Sequence, residues 1–155
     1  MSNTEVGDKF QVEKLRNQSS EIIDLGEVVG NTPCIIFFFP KDFTPGCTKE
    51  VCSFQENLSD LNDLGIKVIG ISSDSESKHK AFARQYNIEF DLLSDPENKF
   101  RKKVGVPSDM FGLLPGRVTY MIDDQGIVKD IVQSQLKIDM HLKKALEFAE
   151  QFKTA

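Results

Sequence analysis

Apolar positions in the first half of the chain fall into short runs that predict strands. Leu15 lies in the first of two predicted early strands, and residues 22–25 contain the second. The run 34–39 is apolar at every position, which is typical of a central strand covered on both faces. Residues 66–72 predict another strand of the core.

A helical pattern separates the two longer strands. Apolar residues recur there at spacings of three and four, which predicts one helix over 45–64 that ends at Gly65. These residues are Val51, Phe54, Leu58, Leu61 and Leu64. Ser75 or Ser77 can cap the next helix. The apolar side of that helix would carry Ala81, Phe82 and Tyr86.

The second half of the chain predicts smaller elements. A short strand over 91–94 precedes a short helix over 96–104 and a long loop over 105–116. Two apolar stretches then flank Asp124-Gln125-Gly126, a sequence typical of a hairpin turn. We therefore expect the next two strands to be antiparallel.

A final helix completes the predicted fold. Asp139 can cap it, and one side of the helix is apolar, formed by Leu142, Ala145, Leu146, Ala149 and Phe152. Strands that alternate with helices predict parallel βαβ units, to which the hairpin adds an antiparallel pair. We therefore expect a single α/β domain over residues 1–155, with a mixed central sheet and helices on both faces.

Composition and charge exclude several classes of protein. The net charge is −5, and 12 Phe with no Trp favour core packing over base stacking, so nucleic acid is not an expected partner. The longest apolar run has six residues, whereas a membrane span needs about 20. The first residues lack the basic and apolar regions of a secretory leader, so we expect none, and three cysteines do not suit a secreted disulfide framework. We expect a cytoplasmic protein, with a form trimmed of an organelle-targeting segment as the alternative.

Cys47 lies where a helix begins beyond the end of the central strand. Open α/β sheets place their functional sites at this edge. With Thr44 as N-cap and Pro45 as the first helical residue, Cys47 becomes the third residue of the first turn. Backbone N–H groups without partners surround it there, and they favour the nucleophilic thiolate. Cys47 is therefore a candidate nucleophile.

Cys52 follows five residues later in the same predicted helix. On a regular helix this spacing separates two Cα atoms by roughly 8–9 Å, beyond the limit of about 7 Å for a disulfide. A bond between Cys47 and Cys52 therefore requires the helix to unwind. Burial statistics alone leave the alternative that both are ordinary buried cysteines.

The residues around the two cysteines resemble a known family. The pattern Pro40-x-x-x-Thr44-x-x-Cys47, with Cys52 after it, is similar to the active site of the bacterioferritin-comigratory, or Q-type, peroxiredoxins. The likeness extends along nearly the whole chain, through the segments Val6-Gly7-Asp8, Gly70-Ile71-Ser72, Ser77-Lys78-His79 and Leu114-Pro115-Gly116-Arg117-Val118-Thr119-Tyr120.

This resemblance implies a thioredoxin-like fold and thiol-dependent reduction of hydrogen peroxide and small organic hydroperoxides. It implies that Cys47 becomes a sulfenic acid and that Cys52 resolves it as an intramolecular disulfide, which thioredoxin or a similar dithiol reduces. Thr44 would hydrogen-bond the thiolate and the peroxide, Pro40 would shield the site, and Arg117 would hold the anion. The resemblance also implies a monomer, and the chemistry requires no metal or organic cofactor.

Other interpretations remain open beside this one. Cys34 opens a buried strand and is expected to act as a small hydrophobe, the alternative being a second resolving thiol. A zinc site built from the three cysteines and a histidine lacks closely paired ligands. His79, His141 and the basic stretch 99–103 are expected to be solvated. A thioredoxin-type oxidoreductase has two residues between its cysteines, and this chain has four. In a redox-sensing protein, oxidation of Cys47 would change a surface for a partner.

Overall fold

A computed structural model describes residues 3–108 and 116–153. Within these residues, seven strands form one sheet: β1 Lys14–Arg16, β2 Ile22–Asp24, β3 Cys34–Phe38, β4 Lys67–Ser72, β5 Asp91–Ser94, β6 Val118–Ile122 and β7 Val128–Gln133. The α-helices described there are α1 Pro45–Glu56, α2 Leu58–Asp63, α3 Glu76–Tyr86, α4 Lys99–Val104 and α5 Ile138–Ala149. Short 3-10 segments lie at Leu25–Glu27, Pro96–Asn98 and Glu150–Phe152.

The sheet is mixed, as predicted, and β3 lies inside it. The strand order is β2-β1-β5-β4-β3-β6-β7. β3 is parallel to β4 and antiparallel to β6, and Phe38 at the end of β3 is opposite Val118 at the start of β6. Antiparallel pairing therefore brings Arg117, the residue before β6, to the edge of the sheet where α1 begins.

Hydrophobic residues cover both faces of the sheet. Successive side chains of a strand point to opposite faces. Ile35 and Phe37 therefore pack with residues of α1, α2, α3 and α5, whereas Ile36 and Phe38 pack with residues of α4 and the N-terminal segment. All five residues of β3 have no exposed surface. This confirms the prediction of a strand buried on both faces.

The long helix predicted over 45–64 is two helices in the structure. Asn57 separates α1 from α2 with φ −106° and ψ 7°, and its side-chain amide donates to the Ser53 carbonyl at 2.9 Å. Asparagine competes in this way with the backbone hydrogen bonds of a helix. The predicted apolar stripe is nevertheless buried at Val51, Phe54, Leu58 and Leu61. Periodicity therefore identified the buried side but not the break.

Two details of the other helices differ from the prediction. Ser75 caps α3 by accepting from the Lys78 amide, as one predicted alternative required, but Ala81 is exposed. Asp139 is the second residue of α5 and not its cap, and its exposed carboxylate pairs with Lys49 at 3.2 Å. The hairpin of β6 and β7 is confirmed. Of the predicted loop 105–116, residues 109–115 lie outside the described part of the chain.

None of the helices in the described residues has the length and hydrophobicity needed to cross a membrane.

Candidate active site

Cys47 is the third residue of α1, as the sequence predicts, with Thr44 at the N-cap and Pro45 as the first helical residue. Its Sγ accepts hydrogen bonds from two N–H groups, the Lys41 backbone amide at 3.5 Å and Arg117 Nη2 at 3.2 Å. The Cys47 side chain is 1% exposed. Donors at the sulfur and the helix N-terminus both place positive potential beside it. The site can therefore hold a buried sulfur nucleophile.

Arg117 lies between two groups that can be negatively charged. Its Nη1 donates to Glu50 Oε1 at 2.7 Å, while Nη2 faces the sulfur. Burial opposes the charged form of Arg117, but Glu50 and Cys47 beside it raise its pKa overall. Gly46 permits this approach, because a Cβ at that position would lie 3.1 Å from Nη2. The guanidinium therefore stays positively charged at the sulfur.

A buried polar chain continues behind Arg117. Burial raises the pKa of Glu50 to about 7, although Arg117 opposes this shift. His141 Nδ1 lies 2.6 Å from Thr119 Oγ1 and 3.4 Å from Glu50 Oε2, and Nε2 donates to the Ser134 carbonyl at 2.9 Å. Burial lowers the pKa of His141. The expectation that His141 is solvated is therefore wrong, because α5 packs this side chain against β6.

The raised pKa of Glu50 predicts a pH-dependent stability. A carboxyl with a pKa of 4.5 when unfolded and about 7 when folded binds more protons in the folded state. The free energy of unfolding therefore falls as pH rises from 4.5 to 7, by up to an amount on the order of 3 kcal/mol. We expect Glu50→Gln to remove this part of the slope in urea unfolding at several pH values.

Asp42 and His141 also contribute to the pH dependence of stability, and they do so in both proteins. Burial raises the pKa of Asp42 as well, so Asp42 contributes a slope of the same sign. His141 contributes the opposite sign, because its lowered pKa costs stability as pH falls. Equal slopes in the native protein and in Glu50→Gln would contradict the prediction for Glu50.

Thr44 and Pro40 lie on the loop that leads from β3 into α1. The Thr44 hydroxyl donates to the Lys41 carbonyl at 2.7 Å and makes no side-chain cap bond to α1. Pro40 is half-buried and follows the end of β3 by two residues. Both residues therefore lie on the loop that precedes α1, with the Thr44 hydroxyl bonded to a backbone carbonyl.

The other two cysteines occupy different environments. Cys52 is a free, half-buried thiol in α1, and burial together with Glu56 raises its pKa. Cys34 has no exposed surface, and burial raises its pKa to about 12. Cys34 therefore remains an unreactive thiol in the core, which agrees with its predicted role as a small hydrophobe.

Arg101 differs from the expectation for the basic stretch 99–103, which predicted a solvated surface helix. Its side chain is buried in α4, and Nη1 and Nη2 donate to the carbonyls of Gly116 at 2.5 Å and Phe39 at 3.3 Å. Burial lowers the pKa of Arg101 to about 10. A signal existed, because Arg101 is three residues before Val104 and therefore on the same side of the helix as this apolar residue.

Sequence comparisons connect this chain with peroxiredoxins. The AhpC/TSA family matches residues 6–131. The chain is 42% identical over 139 residues to "Peroxiredoxin Q, chloroplastic" of Sedum lineare, which covers 90% of this chain and 74% of that protein. It is 43% identical over 136 residues to "Peroxiredoxin Q, chloroplastic" of Triticum aestivum, which covers 88% of this chain and 62% of that protein. The chain thus spans less than two thirds of the wheat protein.

Solved structures are similar over nearly the whole chain. Peroxidoxin BcpB from Mycobacterium tuberculosis has a TM-score of 0.87 and 29% identity, covering 98% of this chain and 100% of the other. A cysteine variant of Xanthomonas campestris peroxiredoxin Q has a TM-score of 0.82 and 26% identity, covering 97% and 98%. The fold is therefore thioredoxin-like, of the peroxiredoxin kind.

Proposed function

The chain belongs to the AhpC/TSA family as a Q-type peroxiredoxin, a thiol-dependent peroxidase, and we propose that it reduces hydrogen peroxide and small organic hydroperoxides through Cys47. The observation that carries this proposal is the position of Cys47 Sγ between the Lys41 amide and Arg117 Nη2. A sulfur held in this way is surrounded by donors that can stabilise negative charge on the sulfur and on the leaving oxygen.

The first step is an attack by the Cys47 thiolate on the terminal oxygen of the hydroperoxide. An S–O bond forms as the O–O bond breaks, and the sulfur supplies the two electrons that reduce the peroxide. The leaving oxygen takes a proton and departs as water or an alcohol, while Cys47 becomes a sulfenic acid. Arg117 and the Lys41 amide stabilise the charge as it moves from sulfur to the leaving oxygen.

Thr44 and Pro40 complete the proposed peroxide site. The Thr44 hydroxyl, which donates to the Lys41 carbonyl in the structure, rotates to hydrogen-bond the incoming peroxide. Pro40 lies on the same loop and shields the sulfur from bulk water. These two roles are supported by the family motif that contains both residues and by their position on the loop that leads into α1.

The second step joins Cys47 to Cys52. The Cys52 thiol attacks the sulfenic sulfur, a disulfide forms and water leaves. Both residues lie in α1, where their Cα atoms are roughly 8–9 Å apart and a disulfide allows about 7 Å. Part of α1 must therefore unwind. Burial is the main cause of the raised pKa of Cys52, so unwinding also increases its thiolate fraction. Thioredoxin or a similar dithiol then reduces the bond.

Intact mass after one equivalent of hydrogen peroxide tests this sequence of steps. We expect the native protein to lose two hydrogens, mapped to a bond between Cys47 and Cys52. Cys52→Ser should instead gain one oxygen and, with more peroxide, a second, because nothing condenses with the sulfenic acid. Its turnover with thioredoxin should fall by about tenfold or more, since resolution is lost. Cys34→Ser is the matched control and should behave as the native protein.

Normal turnover by Cys52→Ser would contradict the proposed role of Cys52. The reductant would then attack the sulfenic acid on Cys47 directly, or Cys34 would replace Cys52. The double variant with both Cys34 and Cys52 replaced by serine separates these two outcomes.

Several expectations from the sequence stay predictions. These are a single domain over residues 1–155, a monomer, a cytoplasmic location, and the absence of nucleic-acid and membrane partners. The curated relatives named above are chloroplastic proteins.

A further inference from the structure

A second buried polar cluster lies beside the loop that carries Thr44. Asp42 belongs to that loop, Ser72 ends β4, Asp74 follows it, and His79 lies in α3. His79 Nδ1 is 2.5 Å from Asp42 Oδ2, and the Asp42 amide donates to Asp74 Oδ2 at 2.6 Å. The Ser72 hydroxyl donates to the same Asp74 oxygen at 2.8 Å. The expectation that His79 is solvated is therefore wrong, since its side chain has no exposed surface.

The contacts of His79 show where its protons are. Nε2 lies 3.1 Å from the Leu93 carbonyl, which can only accept, so Nε2 carries a hydrogen. A separation of 2.5 Å between Nδ1 and Asp42 Oδ2 requires another proton between these atoms. His79 and Asp42 therefore form a buried pair that shares a proton. Lys78 pairs with Asp74 at 3.2 Å, so each carboxylate of the cluster faces a positively charged or proton-donating side chain.

The same residues could be considered as metal ligands. One atom each from Asp42, Asp74 and His79 lies within 4.8 Å of the others. However, the two atoms that would bind a cation most strongly, His79 Nδ1 and Asp42 Oδ2, are already joined by a proton. Lys78 also pairs with the Asp74 carboxylate, and a proton joins Asp42 to His79, so the cluster requires no cation.

The cluster holds the loop before α1 in an unusual conformation. Phe43 has φ +65°, a left-handed backbone that is uncommon for a residue with a side chain and persists where its surroundings enforce it. Asp42 fixes one side of Phe43 through His79 and Asp74. On the other side, the Phe43 ring packs against Phe82 of α3, with ring centroids 5.2 Å apart.

This loop delivers a hydrogen bond to the reactive sulfur. The Lys41 amide, which lies 3.5 Å from Cys47 Sγ, belongs to the Pro40–Lys41 peptide, and one further peptide unit joins Lys41 to Asp42. Its direction therefore depends on where the Asp42 side chain is anchored. No other described contact ties the Asp42 carboxylate to the protein, because its Oδ1 is buried without a partner.

We propose that His79 is a positioning residue of the peroxidase: through Asp42 it orients the loop so that the Lys41 amide stabilises the Cys47 thiolate. The proposal rests on the proposed role of Cys47 as the nucleophile. His79 itself touches neither the sulfur nor the peroxide. Its effect passes through one side-chain contact and the two peptide units between Asp42 and the Lys41 N–H, and it should therefore appear in the reactivity of the sulfur.

Two conservative replacements of His79 test this role. His79→Asn keeps a side-chain N–H near the position of Nδ1 and so keeps a donor for Asp42. His79→Gln places its amide near Nε2, where it reaches the Leu93 carbonyl but not Asp42. Both are measured with Cys34 and Cys52 replaced by serine, so that iodoacetamide reacts only with Cys47. Lys80→Gln, at an exposed residue of α3, is the matched control.

We expect iodoacetamide to alkylate Cys47 about tenfold more slowly in the His79→Gln variant at pH 7. The pH profile of this rate should move by about one unit to higher pH, as for loss of one hydrogen bond to a charged acceptor. His79→Asn should stay within about threefold of the parent protein, because it preserves the contact with Asp42. Lys80→Gln should match the parent. Equal rates and profiles for the Asn and Gln variants would overturn the proposal.

Further measurements keep the outcomes separate. If peroxide fails to oxidise Cys47 in the parent protein, the proposed function fails, whereas the alkylation comparison still judges the role of His79. If His79→Gln does not fold by circular dichroism, Asp42→Asn replaces it, with the same loss of rate expected. Calorimetric binding of one Zn²⁺ per chain that both His79 variants abolish would overturn the proposal, because a metal ligand cannot share that proton.

Discussion

Replacing Cys47 by serine is expected to lower peroxide turnover by at least about a thousandfold. The reason is that a serine hydroxyl stays protonated near neutral pH and supplies no nucleophile comparable to a thiolate. Turnover is measured in two ways, by thioredoxin-coupled consumption of NADPH and by direct loss of hydrogen peroxide. The two assays together separate a failure of the first step from a failure of reduction.

Controls for this variant come from the same chain. Cys34→Ser should retain native turnover, because Cys34 has no exposed surface and lies at the opposite end of β3 from α1. Serine at position 47 is close in size to cysteine and keeps the donors of Lys41 and Arg117, so thermal unfolding should change little. Turnover of the Cys47→Ser protein within tenfold of the native rate would show that another group attacks the peroxide.

Removing the guanidinium of Arg117 is expected to slow the first step by about 10²–10³-fold, the cost of losing one preorganised donor to a developing negative charge. Arg117→Lys should lie between Arg117→Ala and the native protein, because a single ammonium cannot reach both Cys47 and Glu50 as the two guanidinium nitrogens do. The rate of sulfenic acid formation is measured in single-turnover mixing with hydrogen peroxide.

The stability of the Arg117 variants must be separated from their reactivity. Arg117→Ala leaves the buried Glu50 carboxyl without its partner, so that Glu50 either holds an unpaired charge or must take up a proton, and both cost stability. Adding Glu50→Gln removes that unpaired charge and should restore stability but not the rate. Arg84→Ala, in the exposed part of α3, controls for the loss of an arginine elsewhere. A native rate in the double variant would show that the helix terminus and the Lys41 amide suffice.

Much of the fold and the reactive cysteine could be predicted because their causes are local in sequence. The run 34–39 is apolar at every position, so it had to be a strand buried on both faces, as β3 is. Thr44 and Pro45 mark the start of a helix, which placed Cys47 in the first turn of α1, where it lies. The turn Asp124-Gln125-Gly126 predicted the hairpin.

The surroundings of the sulfur were decided by contacts between residues distant in sequence. His79 and Asp42 are 37 positions apart, His141 and Thr119 are 22, and Arg117 is 70 from Cys47. A histidine or arginine on a helix looks solvated when only its neighbours in the chain are considered, because burial depends on a partner that another element supplies. The sequence by itself therefore determined the core strands and the nucleophile. Only the tertiary structure decided which charged and polar groups hold the sulfur in place, because their burial is possible only where the folded chain pairs them.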